Sequence, residues 1–391
     1  MRVRLEMRAR GKRRCTWCLA VVIGAGSLIG AGSASGCGGA GKTAAPDEWP
    51  PADPEASRAM GEGARLMRRE RWSEARSRFE QALQIDPQLW EARYNLGVLE
   101  WRAGNLDAAR RMFTAIRMRY EAASGSMAVV WIAEAEVCRV LGERAQAMDL
   151  LRAVIRAEKR HLEARAVLVT LLREAGEYED ALVQARQVLV REPEHIGALV
   201  EVGRIHREQG QFEVSQLVLR KALDLAHERE DLLGQIHNDL GLLELAREEP
   251  QAAFEEFTAA VERDPDNASA QKNRGALLLR AGNYEAALQA YRAALRTDAS
   301  DLSTRIGIAI CLRGLARYLE AEAEYDRLLT EHPEHLEGTF NLAILRAEFL
   351  EARTDAIELF ERFLRLAPRQ HPGRAVAERY LSEIQPSGDG V

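Results

Sequence analysis

The residues with the plainest chemical potential lie between Ala34 and Thr43. Gly36-Cys37-Gly38-Gly39-Ala40-Gly41-Lys42-Thr43 fits G-x-x-x-x-G-K-[ST], a loop whose backbone N–H groups cradle phosphates while its lysine reaches the terminal ones. That loop works only between a buried strand and a helix whose N-terminus faces the anion. Here a basic and apolar leader precedes it and Ala45-Pro46-Asp47-Glu48-Trp49-Pro50-Pro51 follows it, so the match is read as chance within a flexible tether. Elsewhere there is no His-Glu-x-x-His, no cysteine pair outside the leader has zinc spacing, and His332-Pro333-Glu334-His335 spans a helix break. The remaining histidines stand singly among helical residues and read as surface or satisfied side chains. No catalytic residue, metal site or cofactor is expected. Of five cysteines, Cys15 and Cys18 fall in the leader, and Cys138 and Cys311 fall on apolar helix faces as small core residues, too far apart to bridge.

The leader has an order of its own. Arg2, Arg4, Arg8, Arg10, Lys12, Arg13 and Arg14 are followed by an apolar stretch from Trp17 to Ile29 and then by small residues up to Cys37, the pattern of a secretory signal over residues 1–36. Ala34-Ser35-Gly36-Cys37 resembles the lipobox of bacterial lipoproteins, with Ala34 where Leu is usual. The resemblance implies cleavage before Cys37 and its acylation, palmitate included. An uncleaved apolar anchor is the other reading, since the stretch approaches the roughly 20 residues that span a bilayer. Gly38 stands where lipoproteins retained in the inner membrane carry Asp, so the resemblance implies the periplasmic leaflet of the outer membrane. An inner-membrane anchor or a soluble periplasmic form are the alternatives. Seven of the chain's basic residues sit in the leader, so the remainder is more acidic than the formal charge of -6 suggests, which argues against nucleic acid as a partner.

Beyond the leader, self-similarity is the strongest signal. Ala75, Ala109, Ala147, Ala181, Ser215, Ala253, Ala287, Ala321 and Ala356 are small residues at intervals of 34, 38, 34, 34, 38, 34, 34 and 35. Four positions after most of them stands a large residue: Phe79, Phe113, Leu151, Leu219, Phe257, Tyr291, Tyr325 and Phe360. Positions i and i+4 share a helix face, so the small residue admits a neighbouring helix and the large one fills the gap beside it. Pro87, Pro193, Pro265, Pro333 and Pro368 stop that helix twelve residues after the small position. An earlier helix is marked by Leu96-Gly97, Val202-Gly203, Leu240-Gly241 and Arg274-Gly275, and a turn such as Ala103-Gly104-Asn105 or Ala281-Gly282-Asn283 separates the two.

This pattern resembles the tetratricopeptide repeat (TPR), a 34-residue helix–turn–helix unit with W-x2-L-G-x2-Y, A-x3-F and a final Pro. Nine units starting near residues 56, 90, 128, 162, 196, 234, 268, 302 and 336 cover residues 56–369. The resemblance implies an all-α, right-handed superhelical solenoid. The expected organisation is a signal peptide (1–36), a lipidated cysteine and tether (37–53), about nine repeats (54–371), and a capping helix with tail (372–391). Each 38-residue interval inserts four residues, near Ser124-Gly125-Ser126 and near Glu228-Arg229-Glu230-Asp231. Four residues are about one helical turn, so an insertion either lengthens a helix and divides the array into blocks, or is loop variation.

In the TPR family, positions 2, 5, 9, 12 and 13 of the first helix line the concave groove. Positions 12 and 13 here supply Arg68, Arg102, Arg139, Arg173, Arg207, Arg280 and Arg313, and the first two repeats add Met60, Met67, Tyr94, Val98 and Trp101. Such a ladder suits carboxylates of an extended partner, beside an apolar anchor, while a self-neutralised solvated face is the alternative. The expected protein is therefore a non-enzymatic scaffold or adaptor that binds envelope proteins or extended peptide segments in its groove and meets the membrane through lipid. It resembles TPR lipoproteins of pilus, gliding-motility and secretion assemblies. A client-binding chaperone and a specificity subunit of an enzyme complex are the other functions considered.

Overall fold

The computed structural model of the protein describes residues 21–22, 28–29, 52–120, 127–227 and 229–384. Cys37, the phosphate-loop match and Ser124-Gly125-Ser126 lie outside the described residues. Two short strands, β1 (Val21–Val22) and β2 (Leu28–Ile29), pair antiparallel. Everything else that is regular among the described residues is helical.

The helices come in pairs that follow the sequence period. In order these are α1 (Pro54–Arg68) and α2 (Trp72–Ile85), α3 (Trp90–Arg102) and α4 (Leu106–Tyr120), α5 (Ala128–Val140) and α6 (Arg144–Ala157). They continue with α7 (Leu162–Glu174) and α8 (Tyr178–Leu189), α9 (Ile196–Glu208) and α10 (Phe212–Ala226), α11 (Glu230–Ala246) and α12 (Pro250–Arg263). Then come α13 (Ala268–Arg280) and α14 (Tyr284–Thr297), α15 (Leu302–Gly314) and α16 (Tyr318–Glu331), α17 (Leu336–Glu348) and α18 (Arg353–Leu366), and a single closing helix, α19 (Gly373–Ile384). The chain forms two compact units that part at Glu228.

The packing rule read from the small and large positions holds in atomic detail. Ala75, Ala109, Ala147, Ala181, Ser215, Ala253, Ala287, Ala321 and Ala356 are all fully buried, and so are Phe79, Phe113, Leu151, Leu219, Phe257 and Phe360. Where the preceding helix carries a glycine at the facing position, the large side chain lies against it. A Cβ at Gly97 would stand 2.7 Å from the Phe113 ring, and one at Gly241 would stand 2.5 Å from Phe257, closer than carbon atoms approach. Ser215, the exception among the alanines, donates its hydroxyl to the Gly203 carbonyl at 2.7 Å and so leaves no buried polar group unmet.

Each turn inside a repeat needs one residue in the left-handed region. Gly104, Gly142, Gly176, Gly210 and Gly282 fill it with φ between 74° and 82°, and Glu70, Glu248, Ala316 and Glu351 fill it in the other repeats with φ between 54° and 63°. The second insertion is helical: α11 has 17 residues, against 13 in α3, α5, α7, α9, α13, α15 and α17. The four added residues thus extend α11 by one turn at its start and keep its buried face in register.

Candidate protein-binding face

Capping fixes where several first helices begin. His161, His195 and His335 stand at the N-caps of α7, α9 and α17, and each Nδ1 accepts a hydrogen bond from the backbone N–H three residues on, at 3.0–3.2 Å. Asn267 and Asp301 do the same for α13 and α15 with side-chain oxygens. These histidines are satisfied structural groups. Burial holds the His195 imidazole below its ordinary value, because the charged ring loses more on leaving water than nearby Glu192 returns.

With their starts fixed, first helices of neighbouring repeats meet. Within residues 52–227, α1 touches α3, α5 touches α7 and α7 touches α9; within residues 229–384, α11 touches α13 and α13 touches α15. Within each unit, a second helix that is followed by another repeat lies between the first helices of its own and that next repeat. In each unit, then, the first helices form a shared inner layer, and positions 12 and 13 sit at its seams.

The predicted groove residues divide into three groups there. Met60, Met67, Tyr94 and Val98 are buried, and β1 lies against α1 and α3. The Tyr94 ring packs on Phe113 with centroids 5.4 Å apart, and its buried hydroxyl has no hydrogen-bond partner among the described residues. Trp101 is half-buried at the edge of the same cluster.

The second group is paired inside the chain. Arg139 donates to Glu136 at 2.9 Å and to Glu174 of the next repeat at 3.2 Å. Arg173 reaches two carboxylates of the next repeat, Glu201 at 2.7 Å and Glu208 at 2.9 Å. Glu201 also accepts from Arg204 at 2.7 Å, and Arg207 stands 3.5 Å from Glu208. These arginines therefore stitch α5 to α7 and α7 to α9. For Glu201 burial opposes the ionised form, but Arg204 and Arg173 outweigh it and hold the carboxyl below its usual range. For Glu136 burial wins over Arg139, and the carboxyl is raised. One layer below, Arg117 and Thr114 hold the fully buried Glu134 carboxylate at 2.7 and 2.8 Å.

The third group has no carboxylate partner among the described residues. Arg68 and Arg280 are exposed, Arg102 lies 4.0 Å over the Trp72 ring, and Arg313 lies 5.9 Å from the Phe349 ring. The two described thiols offer no nucleophile: burial raises both Cys138 and Cys311 to about 11.

In the second unit the sequence reading names Arg280 and Arg313 but misses the apolar row beside them. There the first helices place half-buried apolar residues at position 9, namely Leu242, Ala276, Ile310 and Ile344, with Leu245, Leu279 and Phe340 beside them. The signal was available, since the four are spaced by 34 residues.

Comparison with known proteins agrees with this geometry. Two family models, both described as tetratricopeptide repeat, match residues 167–230 and 238–301, and residues 66–128 and 278–338. A tetratricopeptide repeat protein from Parabacteroides merdae has a similar structure, with a TM-score of 0.55 at 13% identity over 66% of this chain and 99% of that one. At that identity the likeness is one of fold. The pilF protein of Pseudomonas aeruginosa aligns with a TM-score of 0.44 at 20% identity, over 53% of this chain and 93% of its own. Among curated proteins, the protein CTR9 homolog of Arabidopsis thaliana is 28% identical over 106 residues, 27% of this chain and 10% of the relative's length.

Proposed function

The chain belongs to the tetratricopeptide repeat family, a class suited to protein–protein interaction, and from that premise we propose that it is a non-enzymatic scaffold or adaptor of a bacterial envelope assembly. The observation that carries this reading is the inner layer of first helices in each unit, in contact from α1 to α3, from α5 through α7 to α9 and from α11 through α13 to α15, a surface presented by rigid elements. The leader supports the location. A basic start, an apolar stretch and small residues before Cys37 suit export and acylation, which would hold the repeats at the periplasmic side of the outer membrane. Envelope proteins bound along the inner layer are the partners of this reading.

Photo-crosslinking in intact cells, followed by mass spectrometry, tests it. A fixed set of envelope proteins is expected. Many unrelated clients would instead indicate a chaperone, and one enzyme captured alone would indicate a specificity subunit.

A further inference from the structure

The inner layers of the two units differ in chemistry. At position 9 of successive first helices, residues 52–227 carry Ala64, Val98, Glu136, Thr170 and Arg204, a row that turns polar and charged after its second member. Residues 229–384 carry Leu242, Ala276, Ile310 and Ile344 at the same position, apolar throughout and each half-buried rather than covered. Ala276 is the small member, and the half-buried Leu279, three residues on along α13, adds apolar bulk beside it. The guanidinium groups differ in the same sense. Arg139 and Arg173 are saturated by carboxylates of their own chain, whereas Arg280 and Arg313, beside the apolar row, have no carboxylate partner among the described residues. Lys272, the other cation on this face, is already held by Asp301 at 2.8 Å, and the exposed carboxylates at groove positions, Glu337 and Glu348, are confined to α17. An apolar row flanked by two unneutralised cations favours an occupant that brings apolar side chains and carboxylates together.

The spacing of the row indicates the occupant's conformation. Packed helices stand roughly 8–10 Å apart, so successive members of the row recur at about that interval. A helix returns the same face every seven residues, about 10.5 Å along its axis and just beyond the upper end of that interval, whereas a β-strand returns it every second residue, about 7 Å and below its lower end. We infer that the inner face of α11, α13, α15 and α17 binds an acidic amphipathic helix of a partner protein, with its apolar stripe across Leu242, Ala276, Ile310 and Ile344 and its carboxylates on Arg280 and Arg313. This rests on the protein-binding reading above and assigns it to one unit and one chemistry.

The test uses the full chain and two fluorescein-labelled synthetic helices with leucines in heptad register, one with glutamates on its polar face and the other with lysines there. Anisotropy is expected to show binding of the glutamate helix, with the lysine helix weaker by about tenfold or more. Arg280→Glu with Arg313→Glu should reverse that preference, with circular dichroism unchanged. Ala276→Asp, which sets a carboxylate in the middle of the row without removing a large side chain, should weaken the glutamate helix, whereas Glu208→Gln on the first unit should not. No binding of the glutamate helix, equal binding of the two helices, or an unchanged preference in the double charge reversal would overturn the proposal. Photo-crosslinkers at Trp101 and at Ile310, compared in cells, separate the two levels of inference. Partners captured only through residues 52–227 leave the scaffold standing and remove this site, and no partner captured anywhere removes both.

Discussion

Arg173 shows what a single inner-face side chain does in this array. Only 15% of it is exposed, and it faces a Glu201 carboxylate that is 6% exposed, so Arg173→Ala would leave a buried charge supported by Arg204 alone. Breaking such a pair costs about 3 kcal/mol. The expected result is faster hydrogen exchange concentrated in α7 and α9, with α1 to α4 unaffected; uniform exchange across the unit would contradict a local stitch. Acid should act on the same seam. Glu201 titrates below its unfolded value, so its contribution is complete above the ordinary carboxylate range and is lost as pH falls through the lower folded value. His195 acts in a higher window. Its folded value is depressed, so the unfolded chain binds the proton more readily, and the α9 cap weakens as pH falls from about 6.5 toward the lower folded value. His195→Asn keeps an acceptor at the cap and should remove that part of the pH dependence, read as exchange protection of α9 at neutral and mildly acidic pH.

At the scale of elements, the left-handed turn residue is a small reservoir of strain. An L-residue in that region costs about 1–2 kcal/mol relative to glycine, part of which glycine returns as chain entropy. Ala316→Gly should therefore raise the stability of the α15–α16 pair by about 0.5–1 kcal/mol, and Gly282→Ala should lower that of α13–α14 by a similar amount, both measured by exchange. Helix pairs, their order and their closing helix were legible in the sequence because the small and large positions report local packing that every repeat must solve in the same way. Ala109 and Phe113, or Ala253 and Phe257, are read by spacing alone. The extra turn of α11 was one of two readings of Glu228-Arg229-Glu230-Asp231, and spacing alone does not separate a helical turn from a loop. The histidine caps escaped notice because His195 and His335 are ordinary polar letters until the backbone N–H they meet is placed. The stitching was hidden for another reason. Arg139 with Glu174, and Arg173 with Glu208, are 35 residues apart, and whether an arginine turns to its neighbour or to solvent is decided by where the next helix lies.

At the scale of the whole molecule, two repeat units with unlike inner faces follow a leader for which an anchor at Cys37 is proposed. If Cys37 carries the anchor, labelled fatty acid should enter the wild-type chain, and Cys37→Ser should yield a soluble form or an uncleaved precursor; wild-type protein that never takes up label would rule the anchor out. The central claim is that the inner layer, rather than the outer surface, is where partners bind. It is tested most directly by placing one photo-crosslinker at a time in cells, at Trp101 and Ile310 on the inner layer and at Leu217 and Leu319 on second helices, residues that are 72% and 74% exposed. The account predicts that the inner positions capture the same small set of envelope proteins while Leu217 and Leu319 capture none of them. Capture of those proteins through Leu217 and Leu319, with the inner positions silent, would contradict it.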